Sequence, residues 1–372
     1  KLQIDIISLR DLIGGEMAEV KANSEMSAYL DYAISKHASD IHINVGIPVT
    51  LRVDGRLFSI PDVAPLTDVK AKELILGVAD DSLMTSLEQK KEVDFSFGFK
   101  DMRFRVNLYY QKGNIAASFR LIPSVIKPFK ELGLPPILEK FTEHSQGFVI
   151  ITGPTGSGKS TTLAAMIDKI NEERREHIIT IEDPIEYVFE HKKSIVSQRE
   201  VGQDTNTFAR ALRSCLREDP DVVLVGEMRD LETIDAALTL AETGHLVYTT
   251  LHTNSAAQTA DRMVSVFPPH QQQQVRSQLA SVLLGVVSQR LIPRVNGGRV
   301  LATEIMIANS AIKSLIRENK IHQIPNIIQT AASEGMISMD KVLAELVSRG
   351  EITLEDALTW SVDPKSLKMM VY

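Results

Sequence analysis

Gly153-Pro-Thr-Gly-Ser-Gly-Lys-Ser160 matches G-x-x-x-x-G-K-[ST], the pattern of a phosphate-binding loop. Its surroundings agree. Phe148-Val-Ile-Ile151 leads in as a buried strand, and Thr161 to Ile170 leads out as a helix. Glycines let successive main-chain N–H groups turn towards a phosphate, and the start of the helix adds partial positive charge. Gly153, Pro154, Thr155, Gly156, Ser157, Gly158, Lys159, Ser160 and Thr161 are therefore the candidate nucleotide contacts. Lys159 would reach the β- and γ-phosphates, and the Ser160 hydroxyl would hold Mg²⁺. The alternative, a glycine-rich turn without a ligand, does not need a strand before it and a helix after it.

Outward from the loop, apolar runs recur at Phe148 to Ile151, Ile178 to Ile181, Val222 to Val225 and Leu246 to Thr250, each followed by a helical segment. That alternation predicts an α/β domain with a parallel, doubly wound sheet, whose ligands bind beyond the carboxyl ends of the strands. Polar clusters fall at those ends. Glu182 and Asp183, with Glu186, follow the second strand and are candidates to hold Mg²⁺ or its waters, although an acidic turn is more often a solvated loop. Gly226-Glu227 follows the third strand; Gly226 stands where an aspartate usually holds Mg²⁺, and Glu227 is the candidate to polarise the attacking water. His245 and His252 bracket the fourth strand; seven residues apart they are poor zinc ligands, but a histidine at a strand end can sense phosphate.

The first 120 or so residues read as a small α+β domain. Ser24 is a candidate cap for a helix with Met26, Leu30, Ala33, Ile34 and His37 on one face, and Ile41, Ile43 and Val45 alternate as in a strand. Asp54-Gly55 marks a hairpin turn. A second hairpin spans residues 103–122. If Gln111-Lys-Gly-Asn114 is its loop, Tyr110 pairs with Ile115 and Arg105 faces Arg120, with Arg103 on the same side. Opposed like charges cost up to about 1 kcal/mol, which an anion would offset. The arginines are thus candidates to close on a γ-phosphate, the alternative being a basic face neutralised by nearby carboxylates. Residues 123–136 carry four prolines and read as a linker between a domain at 1–122 and one at 137–372. From about Asn309 the chain is helical, with turns at Gly335 and Gly350.

Hydrophobic residues make up 44% and charged ones 24%, which is ordinary for a globular enzyme. The net charge of −7 offers no general attraction to nucleic acid or anionic lipid. Cys215 is the single cysteine, so an internal disulfide and a cysteine-rich zinc site are excluded, and a reducing, cytoplasmic setting is expected. The longest apolar run, Leu279 to Val287, is too short to span a membrane.

The set of motifs resembles the secretion ATPase superfamily. The loop, Thr180-Ile-Glu-Asp-Pro-Ile-Glu186, the stretch Asp219 to Arg229 and the stretch Thr243 to Thr253 look like its Walker A, Asp, Walker B and His boxes. Ala38-Ser-Asp-Ile-His42, Phe267-Pro-Pro-His-Gln271 and Gln289-Arg-Leu291 also look like that family, in which a glycine at position 226 is normal. Assembly members carry a four-cysteine zinc insert that this chain cannot have. Ala311-Ile-Lys-Ser-Leu-Ile-Arg-Glu318 is similar to the AIRNLIRE motif of type IV pilus retraction ATPases, with Lys313 and Ser314 in place of Arg and Asn.

The resemblance implies a RecA-like P-loop ATPase domain with a smaller, PAS-like N-terminal α+β domain and a helical C-terminal end. It further implies a cytoplasmic homohexamer using ATP and Mg²⁺, recruited peripherally to the inner membrane. Its partners would be the platform protein and the pilus base. Within Ala311 to Glu318, the helical spacing of Ala311, Ile312, Leu315 and Ile316 predicts a buried stripe. Arg317 and Glu318, without a duty in hydrolysis, are candidates to pass motion to a partner, the alternative being that the segment only holds the C-terminal helices together. Two other readings are a hexameric nucleic-acid translocase and a scaffold that only binds nucleotide. The acidic charge and 5% aromatic content oppose the first, and intact Lys159, Ser160 and Glu227 oppose the second.

Overall fold

The computed structural model describes residues 24–53, 56–100, 102–122 and 125–371. The chain divides between residues 124 and 125 into two compact units.

The first unit runs α1 (Ser24–Ser35), β1 (Asp40–Ile43), β2 (Thr50–Val53), β3 (Arg56–Ser59), α2 (Asp68–Leu76), α3 (Asp81–Lys90), β4 (Glu92–Phe99), β5 (Met102–Gln111) and β6 (Asn114–Ile122). Its antiparallel sheet has the order β3-β2-β1-β6-β5-β4. One face is apolar because the strands alternate: Phe104, Val106, Leu108 and Phe119 are buried with Met26, Leu30 and Ala33 of α1. The helix ends at Ser35, so His37 lies beyond the expected apolar face, exposed at φ 52°, while Ile34 is half-buried against the same core as Met26, Leu30 and Ala33. Val45 likewise lies beyond β1, in a turn. The Ser24 side chain and the Asp54-Gly55 turn lie outside the described residues; the strands flanking that turn pair from Val53 and Arg56 onward.

The second hairpin has the register that its alternation predicts, with Tyr110 opposite Ile115 and Arg105 opposite Arg120. Its loop is shorter than expected. Gln111 pairs with Asn114, leaving Lys112-Gly113 at φ 49° and 80° as a two-residue turn whose twist suits the strands. The opposed arginines are also answered within the unit. Arg120 Nε donates to Asp40 Oδ1 at 2.9 Å, and Arg105 Nε lies 3.8 Å from Asp94 Oδ1. The charges therefore need no outside anion for stability, which corrects that expectation.

Asp40 has a side chain only 7% exposed. Burial pushes its carboxyl up, but bonds from Ser39 and Arg120 and the Arg120 charge outweigh this and hold it below its ordinary value. The resulting stability is present above the usual carboxylate range and lost on acidification through the lowered folded value. Arg120→Ala should therefore destabilise the folded chain by about 1 kcal/mol at pH 7, because a buried carboxylate loses a charged donor. Urea unfolding at pH 7 would test this; unchanged or raised stability would show that Asp40 needs only its other partners.

The second unit begins with α4 (Phe129–Leu132), α5 (Ile137–Thr142), β7 (Gly147–Thr152), α6 (Lys159–Glu173), β8 (His177–Glu182), β9 (Ile195–Glu200), α7 (Phe208–Cys215), β10 (Val222–Val225) and α8 (Leu231–Glu242). It continues with β11 (Leu246–Leu251), α9 (Ala256–Ser265), α10 (Pro269–Val282), β12 (Leu283–Pro293), β13 (Arg299–Ile307), α11 (Ser310–Arg317), α12 (Ile324–Thr330), α13 (Met339–Ser348), α14 (Leu354–Trp360) and α15 (Pro364–Val371). The sheet order is β13-β12-β7-β11-β10-β8-β9, parallel from β12 to β9 with β13 antiparallel at the edge. The four strands expected around the loop are present, buried on both faces as central parallel strands are.

β9, β12 and β13 are additions that the apolar-run pattern did not show. The proline-rich stretch is not a free linker throughout: Phe129 and Leu134 are buried with Val149 and Ile167 in the second unit's core.

Candidate nucleotide site

The loop after β7 is shaped from beneath. The Thr152 hydroxyl bonds the Leu251 carbonyl at 3.0 Å and accepts the Thr253 N–H at 2.9 Å, tying β7 to the end of β11. Gly153 follows at φ 146°; a Cβ there would sit 2.5 Å from the Gln289 carbonyl of β12 and 2.7 Å from Ser157 Oγ. Only glycine fits. Pro154 is half-buried, Thr155 and Gly156 are exposed and Ser157 is buried. Gly158, at φ 88°, caps α6, which opens with Lys159, Ser160 and Thr161. Ser160 and Thr161 are half-buried, and the Thr161 hydroxyl is 2.9 Å from that of Tyr187.

Lys159 is 8% exposed, and its ammonium donates to the carbonyls of Gly153 at 2.9 Å and Pro154 at 3.1 Å. Burial pushes its pKa below the ordinary lysine value, against the pull of Glu186 and Glu227. A phosphate delivered to the loop would supply the anion that these carbonyls only approximate. His252 Nδ1 stands 3.5 Å from the ammonium, and His252 Nε2 stands 3.5 Å from Glu227 Oε2. Glu227 Oε1 is 2.8 Å from the Arg229 guanidinium. Burial, then the Lys159 charge, lowers the His252 pKa, so at neutral pH the ring is a neutral bridge between cation and carboxylate.

Glu182 ends β8 and is 7% exposed. Its carboxylate accepts the Thr180 hydroxyl at 2.6 Å and the Glu186 N–H at 3.3 Å. Burial nonetheless pushes it up to about 7. The glycine at 226 has a local cause: its missing Cβ would lie 3.3 Å from the Glu182 Cα. The acidic group here thus comes from the neighbouring strand. Asp183 and Glu186 are exposed.

The structure separates the two histidines. His245 precedes β11 at the amino end of the sheet, about 23 Å of strand from His252, and its Nδ1 is 2.9 Å from the Leu240 carbonyl. It closes the α8–β11 connection at the edge opposite the phosphate loop, which corrects the expectation that it senses phosphate. Arg103, Arg105 and Arg120 belong to the first unit's sheet, and Arg317 and Glu318 are exposed at the end of α11.

Among the described residues no group of three or more His, Cys, Asp or Glu could hold a metal by itself. The Ser160 hydroxyl and the Glu182 carboxylate are hard oxygen donors, which suits Mg²⁺ shared with phosphate oxygens.

Arg229, Tyr187 and Gln289 are site residues that motif spacing assigned no role. Gln289 donates to the Thr162 hydroxyl at 2.8 Å while its carbonyl backs Gly153. Its sequence signals are the family-like Gln289-Arg-Leu291 and the polar interruption Ser288-Gln-Arg290 in an otherwise apolar run.

A phosphate loop at the carboxyl end of a parallel sheet, with a carboxylate and a histidine facing its lysine, defines a P-loop ATPase. The chain belongs to the type II/IV secretion system protein family, whose model matches residues 19–297. It is 49% identical over 334 residues to the type IV pilus retraction ATPase PilT of Pseudomonas aeruginosa, covering 90% of this chain and 97% of that one. It is 52% identical over 297 residues to the twitching motility protein of Neisseria gonorrhoeae, covering 78% and 79%. A crystal structure of the pilus retraction motor PilT with bound ADP matches with a TM-score of 0.87 at 51% identity, over 92% of this chain and 98% of that one. No helix among the described residues is long and apolar enough to cross a membrane.

The Glu182 carboxyl carries a pH test. Its folded value of about 7 exceeds the ordinary 4.5, so between those limits the folded chain holds a proton that the unfolded chain releases. Stability should fall as pH rises through that window. Glu182→Gln removes the proton and should gain up to about 3 kcal/mol over the parent at pH 8, with little difference at pH 4.5. Thermal unfolding of both chains at the two pH values checks this; parallel curves would refute the assignment.

Proposed function

We propose that this chain is the ATP-hydrolysing motor of type IV pilus retraction. It works as a cytoplasmic homohexamer held peripherally at the inner membrane, against the platform protein at the pilus base. One observation carries the reading: Lys159 and Glu227 stand on either side of His252. The likeness to PilT over 97% of its length supplies the pilus context.

In this reading Lys159 leaves the loop carbonyls for the β- and γ-phosphates. Ser160 would hold Mg²⁺, which supplies charge neutralisation on those phosphates. Glu227, steadied by Arg229 on one oxygen, accepts a proton from the attacking water with the other. His252 fixes the distance between that carboxylate and Lys159. Arg103, Arg105 and Arg120 meet the γ-phosphate charge during turnover.

Glu227→Gln should abolish turnover while ATP stays bound, whereas Lys159→Ala should weaken binding, since it removes a charge from the phosphates. Phosphate release measured beside nucleotide affinity separates the two. Single-turnover hydrolysis by the Gln variant within about threefold of the parent would remove Glu227 from the mechanism. The same assay tests the arginines: Arg105→Ala should lower turnover about tenfold or more.

Coupling is assigned to α11. Ile312 and Ile316 are fully buried while Arg317 and Glu318 are exposed, and Glu318 bonds Ser314 at 2.8 Å and Lys320 at 2.7 Å. Ala311, expected in the buried stripe, is exposed, and Leu315 is half-buried. Arg317→Ala or Glu318→Ala should leave hydrolysis intact and stop twitching, because no hydrolytic group bonds them. Loss of both activities together, or of neither, would end this division of labour.

A further inference from the structure

The segment carrying His252 is held from beneath by two buried charged side chains that the hydrolytic scheme does not use. Arg290, on β12, is 7% exposed. Its guanidinium donates to the Asn254 carbonyl at 2.9 Å, to Asn254 Oδ1 at 3.3 Å and to the Gln289 carbonyl at 2.8 Å. Ser288, on the same strand, donates to the Asn254 carbonyl at 3.2 Å. Glu304, on β13 directly opposite Ser288, is 8% exposed and accepts the Ala256 N–H at 2.8 Å. Residues 254 and 256 are thereby fixed to one hairpin, two and four positions beyond His252. Thr253 is fixed to β7 through Thr152, and its hydroxyl lies 2.6 Å from that of Thr259 on α9.

Burying ionic groups is costly compared with apolar residues of similar volume, so packing alone would favour leucine at both positions. The partners explain the charges. Three oxygens must be met from one side, which the guanidinium's fixed fork of donors does, and a helix-start N–H must be met from the other. The pair sets geometry.

We propose that Arg290 and Glu304 are positioning residues for hydrolysis, clamping residues 254–256 so that the His252 imidazole stays between Lys159 and Glu227. This rests on the hydrolytic role given to Glu227 above. Neither side chain bonds Lys159 or Ser160, and Arg290 reaches the loop only through the Gln289 carbonyl, so turnover should suffer far more than nucleotide binding. If the hairpin acts through His252, its loss should matter little once His252 is gone.

The test is a double-mutant cycle in the full chain, read by single-turnover hydrolysis and nucleotide affinity. Arg290→Gln should lower turnover about tenfold, with ATP affinity within about threefold. In a His252→Ala background the same change should cost less than about twofold. Multiplying losses, equal losses of affinity and turnover, or full activity in folded Arg290→Gln would overturn the proposal. Glu304→Gln, close in shape, gives a second cycle if Arg290→Gln does not fold. An active Glu227→Gln would refute the hydrolytic reading separately, since the cycle between residues 290 and 252 is read without that variant.

Discussion

The ammonium of Lys159 is buried, and the carbonyls of Gly153 and Pro154 are what it bonds. For those carbonyls to reach it, the chain must turn sharply between β7 and α6, and Gly153 can turn only against a flat main-chain wall. β12 is that wall, with the Gln289 carbonyl where any Cβ on residue 153 would be. The site thus depends on a strand placed beside β7 by more than a hundred residues of intervening chain. Local sequence gives the loop its chemistry, and a distant strand gives it its shape.

That division explains what the sequence disclosed. Central parallel strands are buried on both faces, so β7, β8, β10 and β11 stand out as unbroken apolar runs. The arginine hairpin was legible to its register because alternation has period two, and pairing Phe104 with Leu121 leaves no other choice. Its turn was misjudged by two residues, since Gln111 and Asn114 are as much at home in a loop as in a strand. β12 was hidden for a different reason. α10 passes into it at Leu283 without a break, and Ser288-Gln-Arg290 interrupts the run. Those polar side chains bond acceptors on α6 and in the segment after β11, which a one-dimensional pattern cannot show.

The buried charges follow the same logic. Arg290, Glu304 and Glu182 are each more than nine-tenths buried, and each bonds segments at the carboxyl ends of the strands. His245, at the opposite edge, was given the same meaning as His252 because both flank one strand. Strand direction separates them: a parallel sheet gathers its polar ends along one edge, and a residue entering a strand lies on the other.

Gly226 has a mechanical consequence. Because no side chain grows from that position, the buried carboxylate is borne by β8, while Glu227 follows β10. The two strands lie side by side, with Ile181 next to Val225. Were both acids carried on one strand, their spacing would be fixed by a few covalent bonds. Carried on adjacent strands, it is set by the slanted bonds of the parallel ladder between them. The register between β8 and β10 is therefore also the spacer between the two acids.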